Sequence, residues 1–317
     1  MLRNKFLGCI LGLAVGDALG APAEFLSVTD VRAKYGDDGI RDFHPWDRFP
    51  AGSYTDDTQM SLATASGLIE SARQNNKTLP ALYVYKAYVG WYATQNDPAQ
   101  RRAPGNTCLA ALADGRAGTL LSPINTSKGC GGVMRVAPVG LAYPPVDAFR
   151  FGTEAAAITH GHPSGYLPAG ALAAIVAFIV EGRTVRTAIE STIPFLMGYA
   201  GSEETLDKVR AALDLAAAGT PASEACLSLG QGWVGEEALA IALYCALASG
   251  GDFEGGVIAA VNHNGDTDST GCIVGAILGA AAGVEAIPAR WRAAVENAEL
   301  LTSVADTLYA VFGPRDK

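Results

Sequence analysis

The chain has 317 residues, 49% of them hydrophobic and 17% charged, so it can bury a large core and is not disordered by composition. Its formal net charge is −9 at pH 7, and no stripe of lysine and arginine runs along it, so binding to a nucleic-acid backbone is not expected. An acidic cleft would instead attract cations.

The N-terminal stretch MLRNKFLGCILGLAVGDALGA resembles a secretory signal, but Asp17 and a regular glycine spacing count against that interpretation. No other charge-free apolar run of 18 residues is apparent, and no membrane partner is expected. The cysteines form no CxxC pair, which favours a reduced, cytoplasmic chain with Cys as a small apolar residue; they stand at positions 9, 108, 130, 226, 245 and 272.

Apolar residues recur at three- and four-residue intervals along most of the chain, which predicts helices, whereas period-two alternation is scarce. The predicted helices cover residues 4–19, 58–74, 80–95, 105–114, 147–159, 164–182, 184–198, 203–218, 235–249, 253–262, 269–283 and 289–310. Gly-, Pro-, Asp- and Asn-rich segments separate them. We therefore predict an all-α fold, a compact multi-helix array. No linker divides the chain, which indicates a single domain over residues 1–317.

Two of these helices carry glycine at every fourth position. The first has Gly8, Gly12, Gly16 and Gly20, and the penultimate one has Gly271, Gly275 and Gly279. Residues four apart share a helix face, and such a face costs roughly 1 kcal/mol of helix propensity per glycine relative to alanine. The compensation is close backbone approach. We therefore expect tightly crossed central helices, although a membrane dimer gives the same pattern.

Two polar turns, SYTDDTQ at residues 53–59 and NHNGDTDSTG at residues 262–271, are dense in oxygen donors. Each precedes a helix, so helix capping is one explanation. Four converging carboxylates would repel one another without cations, and hard divalent ions such as Mg²⁺ or Mn²⁺ prefer this donor set. Histidine and cysteine are too few to favour zinc. We predict that the turns meet and hold one or two ions through Thr55, Asp56, Asp57, Asp266, Asp268 and Ser269.

A glycine-rich segment, SKGCGGVMRVAP at residues 127–138, leaves backbone N–H groups unshielded at Gly129, Gly131 and Gly132. Such a loop is able to bind phosphate, although glycine-rich loops are common and no strand precedes this one. Arg135 follows the glycines. It would either assist with the anion or pair with a carboxylate.

Three further segments carry weaker signals. His160 and His162, in ITHGHPSG, suit a general base or a phosphate donor, or equally a cap for the next helix. In APGNT, Asn106 or Thr107 is expected to cap a helix. Glu24 follows the first glycine helix and becomes interesting only if that helix packs beside the acidic turns.

The segments GCILGLAVGDALGAPAEF, SYTDDTQMSL, GCGGVMRVAP, THGHPSG and NGDTDSTG, in this order, resemble the ADP-ribosylglycohydrolases. The prototype of that family is the dinitrogenase reductase-activating glycohydrolase. The resemblance extends from residue 5 to about residue 285, and the pair of acidic turns is specific in combination.

The resemblance implies the family's orthogonal all-α array and a binuclear site for two Mg²⁺ or Mn²⁺ ions, with the six turn residues as ligands. Glu24, Asp56 and Asp57 would serve catalysis by taking a proton from water. ADP-ribose would be bound by Asn106, Gly129, Cys130, Gly131, Gly132, Met134, His160 and His162.

Three positions depart from the family pattern. Ala103 replaces the acid that arginine-type relatives carry in a DIGxT-like segment, which puts arginine specificity in question. Cys130 stands where others have Asn, so the phosphate site would differ in shape. Ser269 stands where many relatives have Thr and keeps the hydroxyl.

The expected activity is metal-dependent hydrolysis at ribose C1, releasing ADP-ribose from a modified protein or small molecule. The acceptor stays open among arginine, serine, a nucleic-acid base and a small molecule. Two alternatives remain: a two-metal nucleotide phosphohydrolase, and a non-catalytic relative that binds ADP-ribose or is structural.

Overall fold

The computed structural model describes residues 1–75 and 80–313. These ranges contain sixteen α-helices and two short 3₁₀ helices, at Cys130–Gly132 and Val284–Ala286, and no β-strand beyond isolated bridges. The α-helices are α1 Leu2–Gly20, α2 Val28–Tyr35, α3 Asp56–Arg73, α4 Pro80–Thr94, α5 Asn106–Ala113, α6 Ala137–Ala142, α7 Pro145–Ala157, α8 Pro163–Val180, α9 Val185–Met197, α10 Glu203–Ala217, α11 Ala222–Leu229, α12 Gly235–Ala248, α13 Phe253–Ala260, α14 Thr267–Ala282, α15 Ala289–Ala294 and α16 Ala298–Phe312.

The helix prediction is confirmed for the long elements and incomplete for the short ones. Periodicity missed α2, α6 and α11, which have only six to eight residues and too few turns to show a repeat. The predicted helix over 289–310 is wrong as one element. It is split into α15 and α16 at Asn297, which adopts the left-handed φ of 54°.

The predicted glycine crossing is confirmed by the packing of α1 against α14. The two helices run antiparallel, and glycines face one another at three successive turns of the contact. A Cβ added to Gly16 would lie 1.9 Å from the carbonyl oxygen of Gly271, and one added to Gly12 would lie 2.2 Å from that of Gly275. Only glycine permits this backbone approach, so the sequence repeat fixes the register of the two central helices.

Helix α8 contradicts the expectation that no charge-free apolar run of 18 residues exists after the N-terminus. Pro163–Val180 is long and apolar enough to cross a membrane by length and composition, with mean hydropathy 1.7. However, 83% of that stretch is buried inside the protein. It packs against α6, α7 and α9, so its apolar character is accounted for by the core.

Candidate active site

The glycine crossing delivers two chain segments to one place. At its end, Gly20 of α1 lies against Thr267 and Asp268, the first residues of α14. The Thr267 hydroxyl donates to the Gly20 carbonyl at 2.9 Å. The second acidic turn therefore lies beside the segment that carries Glu24. This is the packing under which Glu24 was expected to belong to the site.

Asp17 joins the first acidic turn to the same helix. Its carboxylate is fully buried and accepts from the backbone N–H groups of Thr55 and Thr58, both at 2.9 Å, and from the Thr58 hydroxyl at 2.6 Å. Asp17 thus fixes the N-terminus of α3 against α1. Sequence analysis missed this role, although a single carboxylate inside an otherwise apolar helix is a detectable signal.

The two acidic turns meet, as predicted. The Ser269 hydroxyl donates to Oδ2 of Asp57 at 2.9 Å, across 212 positions of sequence. Asp56, Asp57, Asp266 and Asp268 are each at most 4% exposed. Four buried carboxylates therefore share one small region at the N-termini of α3 and α14, where the helix dipoles favour negative charge.

The capping explanation of these turns is also correct for two side chains. The Thr55 hydroxyl accepts from the Asp57 N–H at 3.2 Å, and the Asp266 carboxylate accepts from the Ser269 N–H at 3.2 Å. Capping does not use all the acceptors. In the described part of the chain, the buried Oδ1 atom of Asp268 has no hydrogen-bond partner.

In the acidic cluster, the charged form of each carboxyl group is disfavoured. Burial, and next the charge of Asp268, raise the pKa values of Asp56, Asp57 and Asp266 well above the usual range. The pKa of Glu24 is raised by burial first and then by the neighbouring carboxylates. Every charged group among the largest causes of these shifts is a carboxylate, so the nearest charges oppose ionisation of the cluster.

The donor set fits a hard divalent cation, because carboxylate and hydroxyl oxygens are the ligands such ions prefer and Asp268 offers an unused oxygen. Across residues 1–75 and 80–313, no three His, Cys, Asp or Glu side chains already enclose a common point. The residues thus fit the ion by chemistry, and ligation requires side chains to turn toward it.

A cleft of about 330 Å³ opens above the cluster. Its lining includes Glu24, Asp56, Asp57, Asn106, Gly129, Cys130, Gly131, Met134, His160, Asp266, Asp268 and Ser269. Three predicted site residues do not line it. Thr55 is buried beneath it, Gly132 packs against the Gly165 carbonyl, and the His162 ring accepts from the Ser164 N–H as a helix cap.

The glycine-rich loop has fewer free donors than the sequence predicts. The N–H of Gly129 donates to the Ser127 hydroxyl at 3.2 Å, and that of Cys130 to the Trp233 carbonyl at 3.1 Å. The Cys130 thiol donates to Oδ2 of Asp266 at 2.8 Å, which ties the loop to the acidic cluster. The Gly131 N–H has no acceptor among the described residues, whereas the Gly132 N–H belongs to the short 3₁₀ helix Cys130–Gly132.

Arg135 does not reach the cleft and pairs with no carboxylate in the described chain, so both expectations for it are wrong. It is fully buried, and its guanidinium donates to the Cys108 sulfur, the Ala155 carbonyl and the Thr159 hydroxyl. Asn106 lines the cleft and is the first residue of α5; the N-cap of that helix is Gly105, so the predicted side-chain cap is wrong.

The rim of the cleft carries an aromatic pair that sequence analysis missed. Phe25 stacks on Trp233 with ring centroids 5.1 Å apart and planes 19° apart. Phe25 is 75% exposed and adopts a left-handed φ of 67°, which is uncommon for a bulky residue. Ala103, also on the rim, has φ 53°. No local pattern predicts this pairing, because the partners lie 208 positions apart on separate loops.

Comparison with known proteins agrees with this architecture. A sequence profile described as ADP-ribosylglycohydrolase matches residues 1–317. An uncharacterized protein of Archaeoglobus fulgidus is 32% identical over 97% of both chains. The ADP-ribosyl-[dinitrogen reductase] glycohydrolase of Rhodospirillum rubrum is 28% identical over 92% of this chain and 90% of its own. Human ADP-ribosylhydrolase ARH3 is 25% identical over 98% and 94%.

A solved structure titled "ADP-ribosylglycohydrolase-related protein complex" superposes with a TM-score of 0.73 at 27% identity, covering 98% of each chain. The predicted all-α array of that type is therefore confirmed.

Proposed function

The chain belongs to the ADP-ribosylglycohydrolase family, whose members hydrolyse glycosidic bonds, and from that premise we propose that it releases ADP-ribose from a modified acceptor at the acidic cleft. The observation that carries the proposal is the meeting of the two acidic turns around the unpartnered Asp268 oxygen. Cation binding, the residue roles and the acceptor are parts of the proposal.

Two Mg²⁺ or Mn²⁺ ions would be held by Thr55, Asp56, Asp57, Asp266, Asp268 and Ser269. When bound, such ions stabilise developing negative charge and lower the pKa of water. Each of these residues offers an oxygen at the N-terminus of α3 or α14. The capping hydrogen bonds and Asp17 hold the backbone of the turns in place before a ligand arrives, so that only side chains have to turn toward the ion.

The remaining cleft residues position the substrate. The N–H group of Gly131 and the ring of His160, which both line the cleft, are donors for the diphosphate. Glu24, Asp56 or Asp57 would accept the proton of the attacking water. Burial, and next the neighbouring carboxylates, raise the pKa values of all three and keep them protonated, so neutralisation of the cluster by cations is a condition for proton transfer.

The test is to incubate the purified protein and Mn²⁺ or Mg²⁺ with substrates ADP-ribosylated on arginine, on serine and on DNA, and to identify products by mass spectrometry. Free ADP-ribose is the expected product, and its formation should stop in excess EDTA. AMP or inorganic phosphate would identify a phosphohydrolase instead. Binding of ADP-ribose without turnover of any substrate would identify a non-catalytic protein.

A further inference from the structure

Arg135 is a buried cation whose contacts are all neutral groups. It is 0% exposed, and its guanidinium donates to the Cys108 sulfur at 3.3 Å, the Ala155 carbonyl at 3.3 Å and the Thr159 hydroxyl at 2.6 Å. The Tyr88 ring covers it at 4.3 Å. A guanidinium can only donate hydrogen bonds, so the direction of each of these contacts is fixed.

Because Arg135 is the donor to Thr159, it limits how the Thr159 hydroxyl can bond to His160. A hydroxyl has one hydrogen and two lone pairs, and Arg135 occupies a lone pair of Thr159. The Thr159 Oγ1 atom lies 2.8 Å from Nδ1 of His160. When its hydrogen lies on this contact, Nδ1 is the acceptor, and a neutral imidazole then carries its own hydrogen on Nε2.

The opposite arrangement costs more. If Nδ1 of His160 were the donor, Arg135 and His160 would both donate to the same hydroxyl. Apart from Nδ1, the described residues offer the hydroxyl hydrogen at most the Cys108 sulfur, which is a weak acceptor and already accepts from Arg135. In a buried site, exchanging an O–H···N bond for a weak O–H···S contact is unfavourable.

Nε2 of His160 faces the glycine-rich loop. A Cβ added to Gly129 or Gly131 would lie 3.2 Å from Nε2, and His160 lines the cleft. Among the described residues, Nε2 has no hydrogen-bond partner. We propose that Arg135 and Thr159 are positioning residues that hold His160 as the Nε2–H tautomer, so that a neutral imidazole donates this hydrogen to the diphosphate of ADP-ribose.

The same environment keeps the ring neutral. Burial, and next the charge of Arg135, lower the pKa of His160 to about 3. The Thr159 hydroxyl and the backbone of Gly129, Gly131 and Gly165 also face the ring and do not titrate. The Cys108 thiol lies beside it as well, and burial raises the pKa of that thiol, so it stays neutral. His160 should therefore act as a hydrogen-bond donor of constant charge and not as a pH-dependent cation. The identity of the ligand rests on the proposed function, whereas the tautomer does not.

Long-range ¹H–¹⁵N NMR on ¹⁵N-histidine-labelled protein tests the tautomer directly, because protonated and unprotonated ring nitrogens give separate signals. Two other histidines are internal references. His162 accepts the Ser164 N–H at Nδ1, and His263 donates from Nδ1 to the Asn264 carbonyl at 2.9 Å. We expect His160 to show the signals of a neutral ring protonated at Nε2 throughout pH 5 to 8. The pattern of His263, or a doubly protonated ring, would overturn the proposal.

The matched variants are Thr159→Val, which removes the hydroxyl, and Thr159→Ser, which retains it. Thr159→Val should lose the tautomer preference and raise the Kd for ADP-ribose about tenfold, equal to about 1.4 kcal/mol. Thr159→Ser should keep both. An unchanged tautomer and affinity in Thr159→Val would refute the positioning role. If that variant does not fold, the wild-type spectrum still decides the tautomer. Lack of ADP-ribose binding by the wild type would instead count against the proposed function and leave the tautomer result standing.

Discussion

The glycine crossing of α1 and α14 and the acidic cluster at its end are neighbours. The packing of the first stabilises the fold, whereas the buried charges of the second destabilise it. In the crossing, backbone packs on backbone through Gly12, Gly16, Gly271 and Gly275, and no side chain separates the helices. In the cluster, four carboxylates are buried without a cationic side chain among the groups that shift their pKa values. The tight packing of the crossing therefore holds together four carboxylates whose mutual repulsion would otherwise separate them.

The largest effect is expected from breaking the crossing. In Gly16→Ala the new Cβ would lie 1.9 Å from the Gly271 oxygen, so α14 has to move. We expect a loss of about 3 kcal/mol or more in the free energy of unfolding, and loss of activity because the second acidic turn moves with α14.

The matched control is Gly90→Ala on α4, where an added Cβ meets nothing within 4 Å. It should gain up to about 1 kcal/mol from helix propensity. Urea unfolding of both variants measures the difference. Equal stability of Gly16→Ala and the wild type would show that the close approach is not required.

Removing one charge from the cluster should separate function from stability. Asp268→Asn keeps the shape of the side chain but loses the carboxylate that raises the pKa of its neighbours. We expect activity to fall by at least about a hundredfold, while the metal-free protein becomes more stable by roughly 1 kcal/mol or more. Asp214→Asn, at an exposed site on α10, should change neither. A less stable metal-free Asp268→Asn protein would contradict this account.

The cluster also predicts how stability depends on pH. Because the folded-state pKa values of its acids are raised, the folded protein binds more protons than the unfolded chain above pH about 4. The melting temperature of the metal-free protein should therefore fall as the pH rises from 5 to 8. Added Mn²⁺ should raise it more at pH 8 than at pH 5. A metal effect independent of pH would argue that the cluster does not bind the ion.

The smallest effect is expected at the rim, where Ala103 replaces the acid of arginine-type relatives. Its φ of 53° is better tolerated by aspartate than by most residues, so Ala103→Asp should fold. We expect it to raise turnover of an arginine-linked substrate relative to a serine-linked one by about tenfold, through pairing with the guanidinium. Ala103→Asn is the neutral control. An equal change in both variants would assign the effect to backbone conformation.

Sequence patterns predicted the regions that have a repeat or a dense motif. The glycines of α1 and α14 share a face, and the two acidic turns exceed what capping needs, so the crossing and the cluster were both predictable. The partners of Asp17, Phe25 and Trp233 were not, because each of these residues acts through a distant segment. The hydrogen-bonded series of Arg135, Thr159 and His160 was not predictable for the same reason, because Arg135 lies 24 positions before Thr159.

The central claim is that both acidic turns bind one divalent-cation site. A crystal soaked in Mn²⁺ and measured at the manganese absorption edge tests it most directly. The account predicts anomalous density within coordination distance of Asp57 from the first turn and Asp268 from the second. Density bound by one turn alone, or none at a saturating concentration of Mn²⁺, would contradict it.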